Sequence, residues 1–313
     1  MGSNESAPSP GLRRVGPGIA GALSLLAFSA LGLVPFFGVL LVFLAPLPLA
    51  HVAGGGRPSF VAWGWVAVSL AGVVLLTGST LAAVALVGYL LVAAWPVVAA
   101  ELWARHSWDT GRWAALVAGV PFGVVSLLLL GVAFPAPPAE PVAGFLVSAA
   151  EGSQELAFRI AGRSAETEDL FRWLVPVVAS LVPALCSMFV LAVALWLRRR
   201  LPLLGFPVGA SPFAGYRSEE WLPAAFVTAA LGWVFLGGHP KWLSGNLLAV
   251  VFGLYFVHGV AIILFHLGRR LGENRWMRGL VVVFGLQLPV AFVIAALGLV
   301  DVFVTLRRGE RRE

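Results

Sequence analysis

Apolar residues in this chain come in long unbroken runs rather than in alternation or heptads, and the polar positions are gathered in the gaps between the runs. A run of about 20 apolar residues is the length that crosses the hydrocarbon core of a bilayer as a helix. The first block, from Gly16 to Val52, is too long for one crossing and carries Pro35-Phe36-Phe37-Gly38 at its middle. It therefore reads as two spans, 16–34 and 37–52, with Pro46 and Pro48 kinking the second, because proline removes a helix hydrogen bond and clashes with the turn before it. Further spans are expected at 59–77, 80–100, 113–133, 173–197, 221–237, 243–267 and 279–301. The expected fold is all-α, a polytopic transmembrane helix bundle of about eight to nine spans filling residues 16–301. A disordered polar tail over 1–15 precedes it, and a basic tail over 302–313 follows.

Composition agrees with the pattern. Apolar residues make up 59% and charged ones 12%, and 36 glycines accompany them, as expected where helices pack in lipid. Net charge is +6, and all but one of the 21 basic residues are arginine, Lys241 being the exception. With the N-terminus in the cytoplasm, the inner segments collect Arg13, Arg14, Arg57, Arg105, Arg112, Arg198, Arg199, Arg200, Arg217, Arg269, Arg270, Arg275 and Arg278. That is the positive-inside pattern of an inner (plasma) membrane protein of a bacterium, and only the tail with Arg307, Arg308, Arg311 and Arg312 opposes it. The partner this distribution fits is the lipid bilayer, whose anionic head groups it matches; nucleic acid is not expected, since no soluble basic face exists. The lone Cys186 sits inside an apolar run, so neither an intrachain disulfide nor a cysteine metal site is expected.

Two connections stand out. Residues 134–172 open on a proline-rich spacer and continue with Phe145, Ala149, Leu156 and Ile160 at helical spacing, which predicts an amphipathic helix on the outer interface. Residues 198–219 begin with three arginines and carry Pro202, Pro207 and Pro212, which predicts an irregular cytoplasmic segment against the head groups.

Candidate chemistry is sparse. The 15 carboxylates fall outside the spans or at their edges, Asp301 alone lying near the core, so an ion-driven carrier with an acid at mid-membrane is not expected. Neither a Walker phosphate loop nor HExxH nor GxSxG occurs, so the chain is not expected to be an enzyme, to hold a metal or to need a cofactor. The candidate ligand-binding residues are Asn246, Tyr255, His258, His266 and Gln287. Steps of three, four and four through Tyr255, His258, Ile262 and His266 put the tyrosine and both histidines on one helix face, with Asn246 roughly opposite. That face either makes hydrogen bonds between helices or lines a cavity. The pairs Gly18/Ala22 and Gly119/Gly123 are expected to let helices pack closely inside the molecule, or else to dock another membrane subunit.

The ends of the apolar region carry a family likeness. Leu33-Val34-Pro35, Leu44-Ala45-Pro46-Leu47-Pro48-Leu49 and Gly56-Arg57, then Asn246, Leu254-Tyr255, His258-Gly259 and Gly298-Leu299-Val300-Asp301 before Arg307, together resemble the YybS-like family of uncharacterised multi-pass bacterial membrane proteins. His258 stands where that family usually has Gln. The family is similar in its hydrophobic layout to the substrate-capture subunits of energy-coupling-factor transporters, and more remotely to the cell-shape protein MreD. The resemblance implies a transporter-like subunit that binds a small-molecule ligand and depends on other membrane subunits for energy. The alternative expectation is a non-enzymatic scaffold of an envelope-assembly or cell-shape complex.

Overall fold

In the computed structural model, the structure describes residues 16–33, 35–106, 108–133, 142, 144, 165–206, 213–271, 284–285, 287–304 and 306. All regular elements among them are helical: α1 (Pro17–Leu33), α2 (Pro35–Val42), α3 (Pro46–Gly54), α4 (Phe60–Thr77), α5 (Thr80–Tyr89), α6 (Trp95–His106), α7 (Thr110–Ala133), α8 (Ala165–Ser180), α9 (Val182–Arg198), α10 (Leu222–Phe235), α11 (Gly238–Leu271) and α12 (Leu288–Val304). Phe60–Thr77, Ala82–His106, Thr110–Val132 and Gly238–Leu267 are each long and apolar enough to cross a membrane, and the bent pair Trp173–Ser180 with Val182–Arg198 makes a fifth candidate. Pro17–Ala30, Leu40–Gly54, Leu222–Phe235 and Pro289–Val304 are shorter apolar helices. The outer faces of these long and short helices are oily: Leu76 is 89% exposed, Leu75 86%, Val132 79% and Phe235 77%, the kind of surface a bilayer covers.

Local chemistry sets the helix ends. Proline opens α1, α2 and α3, where its missing N–H is one that no helix would use. The expected kink near Pro46 is a hydrogen-bonded turn over Phe43–Ala45 between α2 and α3. Gly78 ends α4 in the left-handed conformation, and the Ser79 hydroxyl then caps α5 by accepting from the Ala82 amide at 3.3 Å. Between α5 and α6 the chain loosens into a π-turn, Leu90–Ala94, just ahead of Pro96, which has no N–H to give to an α-helical partner.

The chain divides into two compact units. In the one formed by residues 1–106 and 193–209, α1 lies against α4 so closely that a side chain at Gly21 would meet the Ala62 carbonyl at 2.5 Å. Tyr89 is buried between Ser24, to whose hydroxyl it is bonded at 3.2 Å, and the edge-on ring of Phe28. Arg198 covers the face of Trp103 at 4.8 Å, a cation over a ring in an apolar setting.

The other unit, 107–192 with 210–313, is organised around α11. Helix α12 packs on it by glycine contact in both directions: a Cβ at Gly259 would run into the Ile294 carbonyl, and one at Gly298 into the Tyr255 carbonyl. These helices meet backbone to backbone, the way helices associate where no water drives them together. Close helix approaches lie at Gly21, Gly259 and Gly298 and not at the pairs expected from spacing, since Gly18, Gly119 and Gly123 have nothing within 4 Å of a built Cβ. Spacing marks a small-residue face but not whether another helix lies over it. We predict that Gly298→Leu lowers the thermal unfolding temperature of the detergent-solubilised protein, at a cost of about 1–3 kcal/mol or more from overpacking, whereas Gly119→Ala, with open space around it, does not lower it. Equal behaviour of the two variants would refute this packing.

The expected span at 173–197 is two helices meeting at 73°. Pro183 is the cause: its ring would clash with the Ala179 carbonyl and it has no N–H to donate to it, so the helix stops at Ser180 and restarts at Val182. Helix α8 starts at Ala165, inside the segment expected to be a loop. The amphipathic stretch with Phe145, Ala149, Leu156 and Ile160 lies outside the described residues.

Candidate functional site

The polar residues expected on α11 fall into two centres. Asn246 is 1% exposed and reaches the bend between α8 and α9. Its Nδ2 donates to the Ser180 carbonyl at 2.8 Å and to the Trp242 carbonyl of its own helix at 3.0 Å, while Oδ1 accepts from the Ala184 amide at 3.3 Å. Ser180 and Ala184 are the two groups that would bond to each other in an unbroken helix. The carboxamide is thus inserted into the gap and does for both what a peptide group would do. A buried break without such a partner would leave a donor and an acceptor unmet in hydrocarbon.

The second centre is His258, 2% exposed. Nε2 lies 3.0 Å from Asp301 Oδ2 on α12, and Nδ1 lies 2.8 Å from Ser218 Oγ on the segment entering α10. A carboxylate only accepts, so the hydrogen-bond set places a hydrogen on Nε2, and Nδ1 then receives the hydroxyl hydrogen of Ser218. Tyr216 is buried edge-on to the imidazole at 5.9 Å, and Phe213 stacks on Tyr216 at 6.2 Å. Asp301 Oδ1 accepts from the Leu306 amide, so the carboxylate also closes the end of α12. Ser218, half-buried, is the member of the set nearest solvent.

Tyr255, one turn before His258, is buried with its ring edge-on to Phe226 of α10, and its hydroxyl has no hydrogen-bond partner among the described residues. His266 and Gln287 do not join this centre. His266 is exposed two turns beyond His258, beside the ring of its neighbour Phe265. Gln287 is exposed at the start of α12, where its carbonyl accepts from the Ala291 amide. Helical spacing aligns His266 with His258 along α11, but α10 and α12 cover the helix around His258 and leave His266 open. Ser218 and Tyr216 are absent from the sequence-based set because they lie in an irregular segment with no periodicity to mark them. Asp301 was legible as the carboxylate nearest the core, and its partner was not.

Beside this centre, at the start of α7, Asp109 caps the helix by accepting from the Arg112 amide at 2.9 Å. Its side chain is also hydrogen-bonded to Glu219, whose carboxyl is raised above the ordinary range by burial first and by the Asp109 charge second, with Arg112 opposing. A carboxyl raised on folding contributes stability that is complete below its unfolded value and is lost as pH rises through its folded value. We predict that wild-type stability in detergent falls as pH climbs from the ordinary carboxylate range toward neutrality, and that Glu219→Gln flattens that limb. A Glu219→Gln profile parallel to wild type would exclude Glu219 as the source of that limb. No group of three or more His, Cys, Asp or Glu arranged to hold a metal ion occurs among the described residues.

The model of a family described as "Predicted membrane protein (DUF2232)" matches residues 146–302, a stretch that contains both polar centres. No curated protein matches the chain, and no solved structure does.

Proposed function

We propose, from the premise that this chain belongs to the DUF2232 family of predicted membrane proteins, that it is a transporter-like subunit binding a small solute inside its helical domain and relying on partner proteins for energy. The observation that carries this reading is the buried set of Ser218, His258 and Asp301 where α11 and α12 meet the segment entering α10. Ionisable groups inside a membrane domain cost several kcal/mol to bury and are kept where they serve a ligand or an ion. The unpartnered Tyr255 hydroxyl one turn away adds a vacant donor and acceptor of the kind a polar solute would fill. Tyr255, Ser218 and His258 are the groups expected to face the solute, with Asn246 holding the neighbouring bend in shape.

Eight to nine crossings fit the same reading. Four long spans and the bent pair account for up to five of them, and the rest require the four shorter apolar helices to cross as well, of which a 14-residue helix such as Leu222–Phe235 is only about 21 Å long and needs its flanks to complete a crossing. A bacterial inner membrane with the N-terminus in the cytoplasm follows from the arginine distribution. A reporter fused after Glu313 tests the parity of the count, an odd number placing it outside.

Solute binding is tested with the full chain in detergent and a panel of vitamins and polar metabolites. A thermal shift with one class, lost in Tyr255→Phe and Ser218→Ala, is the expected result. The absence of any shift across the panel, together with no energising subunit co-purifying from the membrane, would overturn the reading.

A further inference from the structure

We propose that the ends of α3, α6 and α9 build one binding site for an anionic phospholipid, its phosphate held between the exposed guanidinium groups of Arg57 and Arg200. This does not rest on solute binding. The site lies wholly within the unit formed by residues 1–106 and 193–209. Arg57 follows α3, Arg105 stands in the last turn of α6, and Arg198 closes α9 with Arg199 and Arg200 directly behind it.

Backbone contact draws these ends together. The chain leaves α9 through a tight turn, Leu201–Leu204, and Gly205 then takes the left-handed conformation at φ +88°. A Cβ at Gly54 would run into the Leu204 carbonyl, and one at Gly205 would meet the Gly54 carbonyl at 2.9 Å, so the end of α3 and this turn meet where no side chain fits. Both arginines are folded back onto the contact: the Arg200 carbonyl accepts from the Leu204 amide at 3.1 Å, and the Arg57 amide donates to the Val52 carbonyl at 3.3 Å. Each stands about one turn from the contact, on a side chain long enough to reach toward a common anion.

The arginines are also set in place. Arg198 lies over the Trp103 ring at 4.8 Å and Arg200 over the Trp196 ring at 5.8 Å, with Phe43 edge-on to Trp196 at 6.3 Å. A planar fork held on an aromatic face has less freedom to lose when it meets a phosphate. Arginines that only retain a loop on the cytoplasmic side need no such positions.

Charge and apolar surface identify the occupant. Residues 46–60, 95–106 and 193–206 contain five arginines and one carboxylate, Glu101. Glu101 accepts from the Ser59 amide at 3.0 Å through one oxygen and faces Arg105 at 4.0 Å through the other. A helix C-terminus favours a nearby cation, but here five arginines meet three helix ends, and the surplus calls for an anion from outside. Leu203, 78% exposed in the turn after Arg200, and Phe60, 59% exposed three residues past Arg57, add apolar surface beside the charges. A free phosphate makes no use of that surface, whereas a phospholipid carries its glycerol esters and acyl chains directly behind the phosphate.

Native mass spectrometry of the full chain in detergent, offered equal amounts of phosphatidylglycerol and phosphatidylcholine with identical acyl chains, tests the site. The expected result is a saturable phosphatidylglycerol adduct, preferred over phosphatidylcholine by about tenfold or more, with the preference lost in Arg57→Gln/Arg200→Gln. Arg112→Gln/Arg217→Gln, which removes two exposed arginines from the other unit, retains the preference. Excess glycerol 3-phosphate, which has the charge without the chains, leaves the adduct in place. Should the first double variant fail to fold, the single variants Arg57→Gln and Arg200→Gln carry the comparison, each lowering the preference severalfold. Equal retention of the two lipids, an unchanged preference without Arg57 and Arg200, an equal loss in both double variants, or displacement by glycerol 3-phosphate would each overturn the proposal.

Discussion

Asn246→Leu is expected to destabilise the detergent-solubilised protein by roughly 2–6 kcal/mol, or to prevent its recovery as a monodisperse species. Leucine has nearly the shape of asparagine but no polar atom, so the Ser180 carbonyl and the Ala184 amide are both stranded at a buried bend. Each stranded group costs about 1–3 kcal/mol, and nothing in the apolar surroundings can take its place. The two helix ends cannot recover by closing on each other, because Pro183 holds the break open. Asn246→Asp should be nearly as damaging, since two carbonyls would then face a carboxylate with no hydrogen to offer. Thermal unfolding, with hydrogen exchange at Ala184 as the local probe, reads both effects. Unaltered exchange at Ala184 in Asn246→Leu would show that the bend is held by something other than the amide.

Asp301→Ala should cost about 2–5 kcal/mol, the range between losing a hydrogen bond to a charged group and breaking a buried pair. His258 is then left in the protein interior with its Nε2 hydrogen unmet, and the end of α12 loses the acceptor for the Leu306 amide. Asp301→Asn retains an oxygen that can accept from Nε2 but turns its NH2 toward the Leu306 amide, so it should cost less than Asp301→Ala without matching wild type. The comparison separates shape and hydrogen bonding from charge. A double-mutant cycle over His258→Gln and Asp301→Asn, read by thermal unfolding, should return a coupling of about 0.5–3 kcal/mol, as groups in contact do. Additive effects would mean that the two side chains do not act as a pair.

Much of this molecule was legible in one dimension because lipid imposes a simple rule. A segment must hide its backbone polar groups in its own helix, so apolar length alone marks α4, α7 and α11, and proline and glycine punctuate their ends. Asn246, Tyr255 and His258 stood out for the same reason, being polar in places where polarity is expensive. What they touch was not legible. His258 and Asp301 are 43 residues apart, and His258 and Ser218 are 40, separations at which neither period nor spacing carries information about contact. His266 obeys the same helical period as His258 and is exposed, because period describes one helix and burial depends on its neighbours.

The sequence by itself determined that this is a helical protein made for a bilayer, and which few residues would have to be accommodated in an apolar interior. Those properties follow from local rules: run length, the geometry of proline, and the cost of polar groups in oil. Only the tertiary structure decided that Asn246 mends a broken helix, that glycines 259 and 298 rather than 119 and 123 carry the close helix contact, and that a carboxylate at the end of α12 meets a histidine inside α11. Each of these depends on which helix faces are brought together, a choice made by packing the chain against itself and written in no single stretch of it.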